Sequence, residues 1–315
     1  MNPLRHTLHG AACLLVLVTR ALQLNAQKPK DWAEAASFAY GIASDNTYGV
    51  FNNTPVHLDV WSRIDTTQPT PTLMYIHGGG WVFGSKDGAA NLFLSYVERG
   101  WTVVNVEYRM AGNSLASAAV EDARCALRWV YRNAATYHID TQRIVVLGHS
   151  AGGHIALMVG MLPNGSDLDY GCPADATEPS LKVRAIVNWY GISDVTCLLQ
   201  SPDVRTYALA WTGSQSQAKE FAHKLSPLTY VRPDLPPILT IQGDHDPTVP
   251  YLQSVRLQEA LSTAENTTQL VTIPNGVYGS FSPEQNTEAF HTIWKFLNAQ
   301  HLTGAQPSDS SERPE

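Results

Sequence analysis

A chain of 315 residues, 44% hydrophobic and only 16% charged, with 22 glycines and 19 prolines, is not a disordered, collagenous or coiled-coil protein. It is long enough to bury a sizeable core as one large domain or two small ones. The balance of 21 basic against 28 acidic residues, net −7, argues against nucleic acid or an anionic membrane surface as the main partner; a small neutral substrate fits better.

The first 26 residues read as a secretory signal peptide: Arg5 with no acid before it, an apolar run from Ala11 to Val18, and Ala26 before a cleavage point. The run is too short to cross a bilayer and Arg20 interrupts the chain just beyond it, so no stable membrane insertion is expected once the segment is removed. Removal leaves 19 basic against 28 acidic residues, net −9. Export permits disulfides. Cys13 leaves with the leader and Cys125 falls in a predicted helix, which leaves Cys172 and Cys197 as the pair flanking a common loop region. A bond between them and two free thiols are both open.

From residue 57 onward short aliphatic or β-branched runs alternate with helical patterns. The predicted strands are Val56 to Arg63, Thr70 to Ile76, Thr102 to Tyr108, Arg143 to Leu147, Val183 to Trp189, Ile238 to Gln242 and Gln269 to Ile273. Several, such as Ile144 to Leu147, are apolar at every position, the pattern of strands covered on both faces. Helices are predicted near Ala116 to Ala135, Ala151 to Met161, Tyr251 to Ala264 and Pro283 to Ala299, the last opened by Ser282-Pro283-Glu284-Gln285. This is an α/β class with a mostly parallel central sheet and helices on both faces. Ser193 to Pro237 breaks the rhythm as a short insertion over the C-terminal edge of the sheet, where such folds place their sites. Residues 304–315 hold Pro, Ser and acid but no large apolar side chain, and read as a disordered tail. One domain from 27 to 303 remains.

The strongest chemical signal is Gly148-His149-Ser150-Ala151-Gly152-Gly153, directly after one predicted strand and before a helix. A serine on a sharp strand-to-helix turn needs glycine-sized neighbours, and the helix N-terminus behind it favours developing negative charge. The second is His77-Gly78-Gly79-Gly80-Trp81 after the strand ending at Ile76. Three glycines leave backbone N–H groups unshielded, as a tetrahedral oxyanion requires. A phosphate loop would want Lys followed by Ser or Thr, and Trp81-Val82-Phe83 is wrong for it. No His, Cys, Asp and Glu spacing resembles a zinc site, so neither metal nor cofactor is expected.

With these residues the chain resembles the α/β-hydrolase family, in particular its esterase and lipase group with a His-Gly-Gly-Gly motif and the small feruloyl-esterase-like branch, over residues 37–299. His57 to Trp61, His77 to Gly84, Gly148 to His154 and Gly243 to Pro250 carry the likeness. The resemblance implies the α/β-hydrolase fold, a small-molecule ester substrate and a serine nucleophile at Ser150. It further implies an oxyanion hole from the amides of Gly79, Gly80 and Ala151, and an acid at Asp246 with Asp244 as runner-up.

The family's histidine belongs in the loop before the last helix, which reads Pro274-Asn275-Gly276-Val277-Tyr278-Gly279 here. Its position falls on Tyr278. A phenol titrates near pH 10 and a neighbouring carboxylate raises that further, so tyrosine is a poor direct base. The histidines after Asp246 are His291, in the last helix, and His301, near the chain end. Three outcomes are open: rescue by His291, an impaired enzyme, or a hydrolase-like binding protein. A peptidase is less favoured.

Overall fold

The computed structural model describes residues 39–114, 116–172, 178–200, 202, 204–213 and 215–303, of which 215–217 through their backbone. The expected leader (1–26), the start of the predicted domain (27–38) and the expected tail (304–315) lie outside the described residues.

The aliphatic runs of the sequence line up as one eight-stranded sheet in the order β1-β2-β4-β3-β5-β6-β7-β8. The strands are β1 (Tyr40–Phe51), β2 (Thr54–Arg63), β3 (Thr70–Ile76), β4 (Thr102–Val106), β5 (Ile139–His149), β6 (Ala185–Trp189), β7 (Ile238–Gly243) and β8 (Thr268–Ile273). β1 and β4 each pair antiparallel with β2, and the remaining pairs are parallel. The strand the sequence did not announce is β1. Its polar stretch Ser44-Asp45-Asn46-Thr47 and two register shifts against β2 hide the period of two, and much of it is exposed at the sheet's edge.

Alternate strand residues feed two cores. Met74, Ile76, Val104 and Val146 pack on one face against α2 (Ala118–Arg132), α3 (Ala151–Met161) and α6 (Leu252–Thr263). Leu73, Tyr75, Val103 and Val145 pack on the other against α1 (Leu94–Glu98) and α7 (Pro283–Ala299). The start of α7 is fixed as its sequence predicts: the Ser282 hydroxyl accepts from the Gln285 amide at 3.2 Å while the Gln285 side chain accepts from the Ser282 amide at 2.9 Å. No helix among the described residues is long and apolar enough to cross a membrane.

The β6–β7 insertion carries α4 (Thr206–Thr212) and α5 (Gln215–Lys224). It is pinned over the C-terminal edge by Trp211, stacked on Trp81 at 4.1 Å between centroids, and by the Tyr207 hydroxyl, which donates to the Thr248 carbonyl at 3.1 Å.

The cysteine expectation needs correction. Cys125 and Cys172 are bonded, and Cys197 is free. A place in a helix did not exclude Cys125. Its neighbour Arg124 grips Asp169 with two guanidinium hydrogen bonds of 2.7 and 2.8 Å, which draws the segment carrying Cys172 against α2. The Cys197 thiol lies instead 2.8 Å from both Asp194 and Arg256, where burial and Asp194 push its pKa up. The bonded cysteines lie 47 residues apart, so the chain-entropy model gives about 4 kcal/mol of stabilisation. Denaturant unfolding of Cys125→Ser should show a loss of that order, while Cys197→Ser stays within about 0.5 kcal/mol.

Candidate active site

Ser150 follows β5 and precedes α3 with φ 56° and ψ −120°, a strained conformation for a residue with a side chain. Its amide donates to the Trp189 carbonyl at 2.9 Å and its carbonyl accepts from the His154 amide at 2.9 Å, so neighbouring β6 and the first turn of α3 fix the turn. The Ala151 amide opens the helix. The glycine loop after β3 lies directly against this turn: a Cβ on Gly78 would stand 3.5 Å from the Ser150 Cβ. Gly79 and Gly80 have φ of 120° and 60°. A Cβ on Gly79 would overlap the Phe83 carbonyl oxygen, and one on Gly80 would press on Tyr207.

Asp246 is buried at the end of β7. One oxygen accepts from the Thr248 and Val249 amides at 2.8 and 2.9 Å, the other from the Gln242 amide group at 3.1 Å. Burial outweighs these bonds and raises its pKa above the usual carboxylate value. Asp244 is more exposed and is bonded to His245 at 2.8 Å. The loop after β8 is drawn to the Asp246 turn by the His245 amide, which donates to the Gly276 carbonyl at 3.0 Å, with Gly243 and Gly276 too close for any side chain. That places Tyr278 beside Ser150, with Ser150 and Asp246 both near enough to act on the phenol. Desolvation first, then Asp246, raises the Tyr278 pKa; Ser150 opposes them and the net shift is upward.

Ser150, Asp246 and Tyr278 therefore come together as their order in sequence suggests. His291 does not join them. It is exposed on α7, 3.9 Å from Glu288, in a cleft with Arg99, Trp294 and Lys295, and His301 is exposed beyond the same helix. His154 is structural: it accepts from the Trp81 ring nitrogen at 3.2 Å, donates to the Leu225 carbonyl at 2.6 Å, and burial brings its pKa down to about 4. His149 meets the Tyr75 hydroxyl at 3.1 Å, and burial brings it down to about 3.

A cavity of about 520 Å³ lies alongside, walled by Tyr75, His149, Trp189, Tyr190, Phe281 and Phe290 and reaching Gly78 and Gly279. Trp189 ends β6 and Tyr190 follows it, just before the insertion. Tyr108, which sequence reasoning did not single out, sits two residues past β4, buried under the glycine loop and stacked on His77 at 4.4 Å. An aromatic just beyond the C-terminal end of a buried strand was the signal available for it.

Comparison with known proteins bears on the family and the fold. The BD-FAE family model matches residues 58–261. The probable carboxylic ester hydrolase LipM of Mycobacterium tuberculosis is 31% identical over 232 residues, 71% of this chain and 51% of LipM. The ethyl acetate hydrolase of Pseudomonas putida is 30% identical over 235 residues, 70% of this chain and 69% of that protein. The chain spans about half the length of LipM. Among solved structures, esterase 2 of Thermogutta terrifontis, phosphoramylated by tabun, aligns with a TM-score of 0.70 at 24% identity, covering 84% of this chain and 96% of that one. This likeness is one of fold.

The glycines of the serine turn are tested by crowding. A Cβ on Gly152 would stand 2.1 Å from the Ile76 carbonyl oxygen and 2.4 Å from that of His77, backbone atoms of β3 and its loop. Gly152→Ala should cost about 3 kcal/mol in denaturant unfolding. Gly112→Ala, where a Cβ meets nothing within 4 Å, should stay within about 0.5 kcal/mol.

Proposed function

The chain belongs to the BD-FAE family of α/β-hydrolase esterases, and from that premise we propose that it is a secreted serine hydrolase that cleaves carboxylic esters slowly through an acyl-enzyme on Ser150. One observation carries the reading: Ser150 stands on a positive-φ turn at a helix N-terminus, against an open glycine loop, with Tyr278 beside it.

The Ser150 hydroxyl attacks the ester carbonyl carbon, and the carbonyl oxygen becomes an oxyanion that accepts from the amides of Gly79, Gly80 and Ala151. The Ser150 proton passes through solvent water to the departing alkoxide oxygen, so the ester C–O bond breaks and the alcohol leaves; a second water then attacks the acyl carbon, its proton returns to the Ser150 oxygen, and the acid is released. Tyr278 orients the hydroxyl. Its raised pKa keeps it protonated at neutral pH, so it does not take the serine proton as an imidazole would. Asp246, the acid that orients a histidine in the family's arrangement, has a phenol beside it instead. Transition-state binding alone leaves roughly 10³–10⁴-fold acceleration over water in serine hydrolases stripped of a triad member. The aromatic cavity suits a small neutral ester, and the names of the carboxylic ester hydrolase and ethyl acetate hydrolase relatives support that class.

Tyr278 also favours a second reading, a binding protein that keeps the cavity without turnover. Hydrolysis of a short-chain aryl ester separates the two. The wild type should be slow yet faster than Ser150→Ala, Tyr278→His should gain about 10²-fold or more, and His291→Ala should change nothing. A wild type equal to Ser150→Ala with an active Tyr278→His makes it a binding protein; silence of all four overturns the hydrolase reading.

The leader pattern of residues 1–26 supports export, and the Cys125–Cys172 bond fits an oxidising compartment. N-terminal sequencing of protein from the producing cells should begin at Gln27. Mature protein that retains Met1 would sink the export reading.

A further inference from the structure

The amides assigned to the oxyanion hole belong to peptide units whose carbonyls are already engaged. The Gly78 carbonyl, in one unit with the Gly79 amide, accepts from His77 Nδ1 at 2.7 Å and from the Tyr108 hydroxyl at 3.4 Å. The Gly79 carbonyl, paired with the Gly80 amide, accepts from the Val82 and Phe83 amides at 3.0 and 3.1 Å. The Ser150 carbonyl, paired with the Ala151 amide, accepts from the His154 amide at 2.9 Å. A carbonyl that accepts hydrogen bonds draws electron density from its own N–H and makes that N–H a stronger donor, because bonded chains polarise one another in a low-dielectric interior.

Two of these three units are tied by backbone alone. The Gly78–Gly79 unit depends on side chains. Since a carbonyl only accepts, the His77 contact fixes the proton on Nδ1; its Nε2 has no hydrogen-bond partner among the described residues and lies 3.8 Å from a Glu107 oxygen. Tyr108 lies flat against the His77 ring and divides its hydroxyl between the His77 carbonyl at 3.1 Å and the Gly78 carbonyl. Both side chains are buried, and burial keeps the Tyr108 phenol protonated and donating.

From this geometry we propose that Tyr108 and His77 are positioning residues for ester hydrolysis, which orient and polarise the Gly78–Gly79 peptide so that the Gly79 amide meets the developing oxyanion. The inference rests on the hydrolase reading above. Tyr108 touches no reacting atom; it acts through the loop backbone.

Tyr108→Phe removes the hydroxyl and keeps the ring stacked on His77. The test is made in both the wild type and Tyr278→His, so that turnover is measurable, with Tyr96→Phe as a control. Tyr96 is a buried tyrosine in the α1–α7 core whose hydroxyl has no partner among the described residues. Removing an oxyanion donor outright costs about 10²–10³ in kcat, so weakening one at second hand should cost about tenfold. Expected are a roughly tenfold lower kcat with KM within about twofold, equally slowed phosphonylation of Ser150 by a fluorophosphonate probe read by intact mass, a protein still folded at the assay temperature despite the lost hydrogen bonds, and an unchanged kcat in Tyr96→Phe. An unchanged kcat, a KM that rises in step, or a loss explained by unfolded protein overturns the proposal. If both parents react with the probe and Tyr108→Phe matches them, this inference alone fails. If neither parent reacts, the hydrolase reading fails and takes this one with it.

Discussion

Three backbones converge at the head of β5, and the rest of the site depends on how closely they approach. A Cβ on Gly148 would sit 2.2 Å from the Gly152 carbonyl oxygen, one on Gly152 would sit 2.1 Å from that of Ile76, and one on Gly78 would sit 2.9 Å from that of His149. None of these glycines takes positive φ; they are required by crowding. With α3 pressed against the ends of β3 and β5, the residue at the junction has to turn sharply, and Ser150 takes φ 56°. Such strain costs of order 1–3 kcal/mol and persists because surrounding packing over-determines it. The same closeness brings the opening residue of α3 and the glycine loop together.

The surroundings of that meeting point are held by buried polar groups with partners. Trp81, His154 and the Leu225 carbonyl form a chain of bonds from the glycine loop through α3 to the end of the insertion. Gln242 bonds Asp246, the Val249 carbonyl and Ser254, and so joins the acid turn to α6. Unmaking any one such bond leaves a buried group unpaired, at about 1–3 kcal/mol. The site thus has little freedom to relax around a changed residue.

Much of this was legible in the sequence, for physical reasons that also mark the limits. The apolar runs of β3, β5 and β7 and the capped start of α7 are local signals, and they read correctly. Gly148 to Gly153 fall on a strand-to-helix turn and His77 to Trp81 on the loop after β3, where the sequence puts them, because crowding leaves a composition trace. β1 escaped because a bulged edge strand with polar residues loses its period. The Cys125–Cys172 bond escaped because it depends on where Arg124 finds Asp169, a tertiary event with no local mark. Tyr278 could be located by counting along its loop, but its place beside Ser150 needed the meeting of Gly243 with Gly276.

The substitution at that loop changes more than one partner of Ser150, because burial acts on the neighbouring groups in a common direction. It raises Asp246 and the phenols of Tyr190, Tyr207 and Tyr278, and lowers His149 and His154 to about 3 and 4. Each shift favours the neutral form, as desolvation requires. An imidazole at position 278 would pair a cation with Asp246 during catalysis and so offset the burial of that carboxylate. A phenol offers no such charge, so Asp246 stays costly to ionise, eased by two amides, Gln242 and the charge of Arg205. General-base catalysis works best with a group poised near the working pH; burial carries the three phenols further above that range and the two histidines below it, while the raised Asp246 has no imidazole beside it to orient. The part of the proposed site that needs no titration is the set of backbone amides around Ser150.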